Sequence, residues 1–268
     1  MYTVCIATTA ESSKHKSLRL TIKSICAQSM PPDEVIVAIN RPRNEGLFQE
    51  MMLQSAHVKV IFADAKIGNV SHARNIAARS CKSEFIAFID DDSLAGGIDV
   101  MKNLLSHSSS FDFSCGARRL WAPLNWEDSV SESNQITYNI DLLKHISIEP
   151  ININRNNGKQ KLSNYSFIGN FGLVRTRLFE EIGGFDENFT GWGYEDTDLM
   201  QELFHSNARY LNMRNVGASC IHLTHPIDKS NVASNINLYN EKIKKRGRQF
   251  SINHHFGLFE NDGFESFF

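Results

Sequence analysis

The chain has 268 residues, 41% hydrophobic and 22% charged, and its 28 basic and 30 acidic side chains leave a net charge of −2. That balance excludes a bulk nucleic-acid binder, which needs a basic face to displace counterions from phosphates, while the length is ample for one large core with a smaller appendage. The five cysteines, Cys5, Cys26, Cys81, Cys115 and Cys220, are odd in number, scattered and without a CxxC pair, which argues against a disulfide framework or thiolate zinc site and suits a reducing, cytoplasmic compartment.

Residues 2–9 (YTVCIATT) form a short apolar, β-branched run that predicts a strand, and after polar ESSKHKS come Leu18, Ile22, Ile25 and Cys26 at helical spacing. Pro31 and Pro32 precede a second strand at EVIVAI (34–39), a helix is expected over 46–55, and VKVIFA (58–63) reads as a third strand. VSHARNIAARS (70–80) predicts a helix and EFIAFI (84–89) a fourth strand. Near-continuous apolar strands alternating with helices indicate an α/β fold with a mostly parallel central sheet covered on both faces. Ligands of such sheets bind beyond the carboxyl ends of the strands.

Residues 121–165 are rich in Asn and Ser, as in INRNNG at 153–158, and read mostly as loop, with one helix near 135–146. A strand within 165–175, helices over 176–182 and 195–205, a strand pair within 208–221 and a helix over 231–248 complete the expected elements. A basic cluster, Lys242, Lys244, Lys245, Arg246 and Arg248, then precedes the aromatic tail HHFGLFENDGFESFF. Together these could touch an anionic membrane surface, although a solvated helix end with a packed tail is the favoured expectation. There is neither a run of about 18 to 20 apolar residues nor a secretory-signal pattern, so a soluble, unexported chain is expected.

Asp90, Asp91 and Asp92 directly follow FIAFI, at the carboxyl end of a buried strand. Three adjacent carboxylates repel one another unless a cation holds them, and a divalent metal there can complete its shell with substrate phosphates. The plainer possibility is a solvated acidic turn, or a helix cap at Asp92 or Ser93. A second block, Gly191-Trp192-Gly193-Tyr194-Glu195-Asp196, with Asp198 following, opens an amphipathic helix. Its glycines let the backbone bend around an aromatic face suited to stacking on a sugar, whereas its acids are also ordinary first-turn helix residues. In HLTHP, His222 and His225 have a spacing that can place one or both imidazoles on a cation, or leave both as loop residues. There is no GxxxxGK[ST], no GxGxxG after the first strand, no GxSxG and no HExxH.

In order and spacing, these parts resemble the family 2 type of nucleotide-sugar glycosyltransferase with a GT-A fold, over most of residues 1–226. TVCIATTAESS is similar to the family's first strand and nucleotide loop, SLRLTIKSICAQSMPPDEVIVAIN to the helix, turn and second strand, and GNVSHARNIAARSCKSEFIAFIDDDS to the Ala-Arg-Asn helix and DxD strand. IGGFDENFTGWGYEDTDL resembles a block shared with galactosyl- and N-acetylgalactosaminyl-transferases. The resemblance implies a donor half over 1–118, an acceptor and catalytic half over 119–226, and a C-terminal helix and tail over 227–268.

It further implies Asp92 and His222 or His225 as ligands of Mn2+ or Mg2+, Asp90 and Asp91 beside the donor, and Thr8, Glu11, Asn40 and Arg74 as further donor contacts. Asp196 would be the catalytic base of an inverting transfer, Glu195 a hydroxyl-binding neighbour, and Gly191, Trp192 and Tyr194 the acceptor wall. The implied partners are a nucleotide-sugar, with UDP favoured, and a glycan or lipid-linked acceptor. Where the family often has an aspartate after the second strand this chain has Ile39-Asn40-Arg41-Pro42, which leaves the base contacts of that loop open. A non-catalytic sugar- or nucleotide-binding protein of the same fold would need no base, so the joint presence of Asp92, Asp196 and the histidines weighs against it. An aspartyl-phosphate phosphatase would need its DxD on the first strand, which here ends Ala7-Thr8-Thr9.

Overall fold

The computed structural model describes residues 1–9, 14–40, 57–63, 69–122, 126–129, 171–191, 193–225 and 231–246. Glu11, Trp192, Arg248, the helices expected over 46–55 and near 135–146, and the aromatic tail lie outside them.

Four strands, β1 (Tyr2–Thr8), β2 (Glu34–Ile39), β3 (Val58–Phe62) and β4 (Phe85–Phe88), pair in parallel in the order β3-β2-β1-β4. Their side chains alternate between two apolar layers. Tyr2, Val4 and Ile6 of β1 join Leu18, Ile22 and Ile25 of helix α1 (His15–Cys26) on one face. Cys5, Ile36, Ala38 and Phe88 join Ala73, Ala77 and Ala78 of α2 (Val70–Arg79) on the other. Burial on both faces is why β1, β2 and β4 read as continuous apolar runs, whereas β3, at the sheet edge, leaves Lys59 exposed. α2 begins where Asn69 Oδ1 accepts a hydrogen bond from His72 N at 2.9 Å, a side-chain cap on an otherwise unpaired first-turn amide.

Beyond β4 lie β5 (Ser93–Ala95), α3 (Val100–Leu105), β6 (Phe113–Cys115) and β7 (Arg118–Trp121), none of them anticipated from the sequence. β8 (Gly172–Arg175) runs antiparallel between β4 and β6. α4 (Thr176–Glu181) and α5 (Glu195–His205) precede β9 (Tyr210–Asn212), which completes a seven-stranded sheet beside β6. The two strands expected within 208–221 both form, as β9 and Ser219–His222, but they do not pair with each other. A 3-10 turn at Met213–Val216 diverts the chain, and β10 (Ser219–His222) joins a separate three-stranded sheet in the order β5-β10-β7. The last described element is α6 (Val232–Arg246). No described helix is long and apolar enough to cross a membrane.

Candidate active site

The site lies beyond the carboxyl ends of the parallel strands. Because β4 runs parallel to β1, Thr8 and the aspartate run reach the same edge, and Thr8 Oγ1 donates to Asp91 Oδ2 at 2.6 Å. Asn40, just past β2, joins that edge through its backbone amide, which donates to Thr8 O at 2.8 Å. Lys14, at the mouth of α1, reaches across with Nζ 3.1 Å from Asp92 Oδ2 and 3.4 Å from Asp91 Oδ1. It was not singled out in the sequence, because one lysine in a polar loop gives no local pattern.

The small sheet brings in the histidines. β10 pairs antiparallel with β5 so that His222 lies opposite Ser93, beside Asp92, and Leu223 N donates to Asp92 O at 2.8 Å. His225 Nε2 lies 2.8 Å from Asp92 Oδ2, His222 Nε2 lies 3.6 Å from Oδ1, and the two imidazoles are stacked with centroids 5.5 Å apart. One ligand atom from each of the three residues falls within 4.8 Å of the others. Asp92 Oδ1 is buried and has no hydrogen-bond partner among the described residues. A buried carboxylate with one oxygen unpaired, flanked by two imidazoles at this distance, fits a divalent cation.

Neighbouring charges divide the aspartates electrostatically. Burial, reinforced by the Asp92 charge, pushes Asp91 up to about 6, against the pull of Lys14 and the Thr8 hydrogen bond. Burial would raise Asp92 as well, but the His225 hydrogen bond and the charges of His222 and Lys14 hold it well below the usual carboxylate range. Lys14 loses solvation on burial, yet the charges of Asp91 and Asp92 keep its pKa above the ordinary ammonium value.

Arg74 connects this edge to the acidic start of α5. The residue is only 4% exposed, and its guanidinium donates from Nη2 to Asp90 at 2.7 Å and from Nη1 to Glu195 at 3.2 Å and Asp196 at 3.0 Å. Burial opposes its charge, and the charges of Asp196, Asp90 and Glu195 more than reverse that penalty. Arg74 thus stands as a bridge between carboxylates, with its Cζ 5.1 Å from the Phe185 ring centroid. One position along, Asn75 exchanges two hydrogen bonds with the Phe185 backbone and donates to Glu187 at 2.9 Å, so the Ala-Arg-Asn helix also fixes the GGFDE turn. Gly191 lies against Asn231, just before α6, and Tyr194 lies against α6 with its ring 5.3 Å from that of Tyr239.

The C-terminal basic cluster divides. Lys242 pairs with Asp186 and Asp198, and Arg246 with Asp198 and Glu202, whereas Lys244 and Lys245 are exposed.

A search of curated proteins finds no match. Solved structures share the fold. The GalNAc-T7 structure with UDP, GalNAc and Mn2+ has a TM-score of 0.59 and 13% identity, over 91% of this chain and 50% of that one. Mannosyltransferase PcManGT from Pyrobaculum calidifontis, in complex with GDP-Man and Mn2+, gives 0.60 and 16% over 92% and 65%. S. aureus TarS 1-349, in complex with UDP-GlcNAc, gives 0.62 and 14% over 92% and 68%. The chain therefore has the GT-A fold and spans from half to about two-thirds of the length of these proteins. The profile of glycosyltransferase like family 2 matches residues 9–222, and the chain belongs to that family.

Proposed function

We propose that the chain is an inverting, metal-dependent glycosyltransferase that moves a hexose or N-acetylhexosamine from a UDP-sugar to a hydroxyl of a glycan or glycolipid. The observation that carries the proposal is the convergence of Asp92, His222 and His225 at the carboxyl edge of a GT-A sheet. Support also comes from the UDP, GDP-Man and UDP-GlcNAc named in the similar structures, two of which contain Mn2+.

Asp92, His222 and His225 would hold the cation, which when bound supplies Lewis-acid stabilisation to a departing nucleoside diphosphate. Thr8, Asn40, Asp90 and Asp91 line the donor edge, and Glu11 is a further donor contact. Asp196 takes the proton from the attacking acceptor hydroxyl, and the Arg74 bond at 3.0 Å orients its carboxylate for that task. Attack from the side opposite the leaving group inverts the anomeric carbon. Glu195 binds a sugar hydroxyl, and the loop of Gly191, Trp192 and Tyr194 forms the acceptor wall. The donor half extends over 1–118, the acceptor half over 119–226, and the enzyme works in the cytoplasm.

Calorimetric titration of UDP with and without Mn2+, with Asp92→Ala as control, tests the donor half-site. Metal-dependent binding that disappears in the variant is the expected result. Failure of UDP, GDP, CDP and dTDP to bind under either condition would overturn the proposal.

A further inference from the structure

The C-terminal helix docks on the proposed acceptor side through polar groups. Asn231, just before α6, and Asn235, Tyr239, Lys242 and Arg246 within it, recur at spacings of four, four, three and four, which places them along one face. Each meets the segment from Asp186 to Glu202. At Gly191 a Cβ would lie 2.3 Å from Asn231 Nδ2, so the chains approach backbone to side chain. Asn235, 2% exposed, donates through Nδ2 to Thr190 O at 3.0 Å and Gly193 O at 2.9 Å, and its Oδ1 accepts from Thr190 N at 3.4 Å. Tyr239 lies against Tyr194, and Lys242 and Arg246 grip Asp198, which is 1% exposed.

These contacts hold a strained backbone. Gly191, Gly193 and Tyr194 have φ of 70°, 99° and 75°, all in the left-handed region. For a tyrosine that conformation is costly and persists only where the surroundings over-determine it. Tyr194 immediately precedes Glu195, and its carbonyl accepts from Asp198 N at 2.9 Å to start α5. Whatever fixes Tyr194 therefore fixes the direction in which Glu195 and Asp196 leave the loop.

We propose that α6 is a positioning arm of the active site and Asn235 its central positioning residue, an inference that rests on the transferase function assigned above to Asp196 and the loop. Asn235 touches no reacting group. It acts through the Thr190 and Gly193 carbonyls, and Tyr239 acts through the Tyr194 ring.

The test uses the full chain and the variants Asn235→Ala, Asn235→Leu, Tyr239→Ala and Tyr239→Phe. Leucine keeps the branching and heavy-atom count of asparagine with bulkier methyls while alanine leaves a gap, so an effect common to both variants belongs to the lost hydrogen bonds. Amide exchange read by mass spectrometry is expected to accelerate over residues 189–199 in both Asn235 variants and to stay unchanged in β1, β2 and β4. Calorimetry with UDP and Mn2+ is expected to give the wild-type dissociation constant. With the UDP-hexose or UDP-N-acetylhexosamine that the wild type turns over, kcat should fall by up to about a hundredfold at unchanged donor KM, the scale of a misplaced catalytic group. Tyr239→Phe should retain turnover, and Tyr239→Ala should lose it as Asn235→Ala does. Unchanged exchange over 189–199, a loss residing in UDP affinity or donor KM, or equal impairment in both Tyr239 variants would overturn the positioning role. A wild type that binds no nucleotide, with a loop that still loosens in Asn235→Leu, would remove the transferase function while supporting the hold of α6 on the loop.

Discussion

Replacing Arg74 with methionine tests the bridge at the centre of the site. The side chain is 5% exposed and meets Asp90, Glu195 and Asp196, so methionine fills much of its volume but leaves those carboxylates facing one another without a cation. Removing one partner of a buried ion pair costs about 3–5 kcal/mol. Asp90 and Asp196 retain 29% and 19% side-chain exposure, so water recovers part of the loss, and the lower end, about 3 kcal/mol, is expected. Against a total stability of roughly 5–15 kcal/mol this is a large share, and at about 2 °C per kcal/mol it lowers Tm by about 6 °C. Urea titration at neutral pH measures it, with Arg177→Ala as control, because Arg177 is 89% exposed and its pair with Glu181 should contribute nothing measurable. Arg74→Lys should recover only part, since an ammonium cannot fork to three carboxylates. Neutralising one acid in the Arg74→Met background should restore stability through relief of repulsion. An Arg74→Met chain as stable as Arg177→Ala would refute the claim that these carboxylates depend on the guanidinium.

UDP with Mn2+ at about 100 times the dissociation constant should stabilise the native protein by roughly 2.7 kcal/mol; chelation of the metal or Asp92→Ala should abolish the shift, and a shift surviving in the variant counts against the ligand set. Asp196→Asn should bind UDP and Mn2+ as the wild type does yet transfer no sugar, and retained turnover would sink its assignment as base. Asp112 sets a pH test: the Arg209 side-chain hydrogen bond, with help from Arg175, holds its carboxyl below the usual value. A depressed folded pKa gives stability that is fully present above the unfolded value near 3.9 and disappears as pH falls through the folded one. The gap in urea stability between wild type and Asp112→Asn should thus be about 1 kcal/mol from neutral pH to about 4 and close below that; a gap undiminished at lower pH contradicts the assignment.

β1, β2 and β4 were legible because burial on both faces leaves an unbroken apolar signature, as in EVIVAI, and β3 because Val58, Val60, Ile61 and Phe62 keep most of it around Lys59. β5 and β6 have three residues each, too few for a period to register, and they are recognisable only through their pairing partners. The aspartate run was legible because it directly follows a strand that must be buried. The separation of β9 from β10 was not, since it depends on a turn at Met213–Val216 that sends the chain to another sheet. The docking face of α6 escaped for a different reason. Pattern reading looks for an apolar stripe, and Asn231, Asn235, Lys242 and Arg246 look like solvated residues until their polar partners on the Asp186–Glu202 segment are known.

The pairing of β10 with β5 has a consequence for quality control of the folded state. Asp92 and His222 come from distant parts of the chain and meet only if His222 falls opposite Ser93. Strand side chains alternate, so a one-residue slip would turn His222 to the other face while leaving every aspartate in place. The Gly96 approach to Ser219, where a Cβ would lie 2.1 Å from Oγ, discourages such a slip at the far end of the same pair. Under the proposed function, a cation held by all three residues would require the native register, so the stoichiometry of Asp92-dependent metal uptake would count correctly threaded molecules in a preparation.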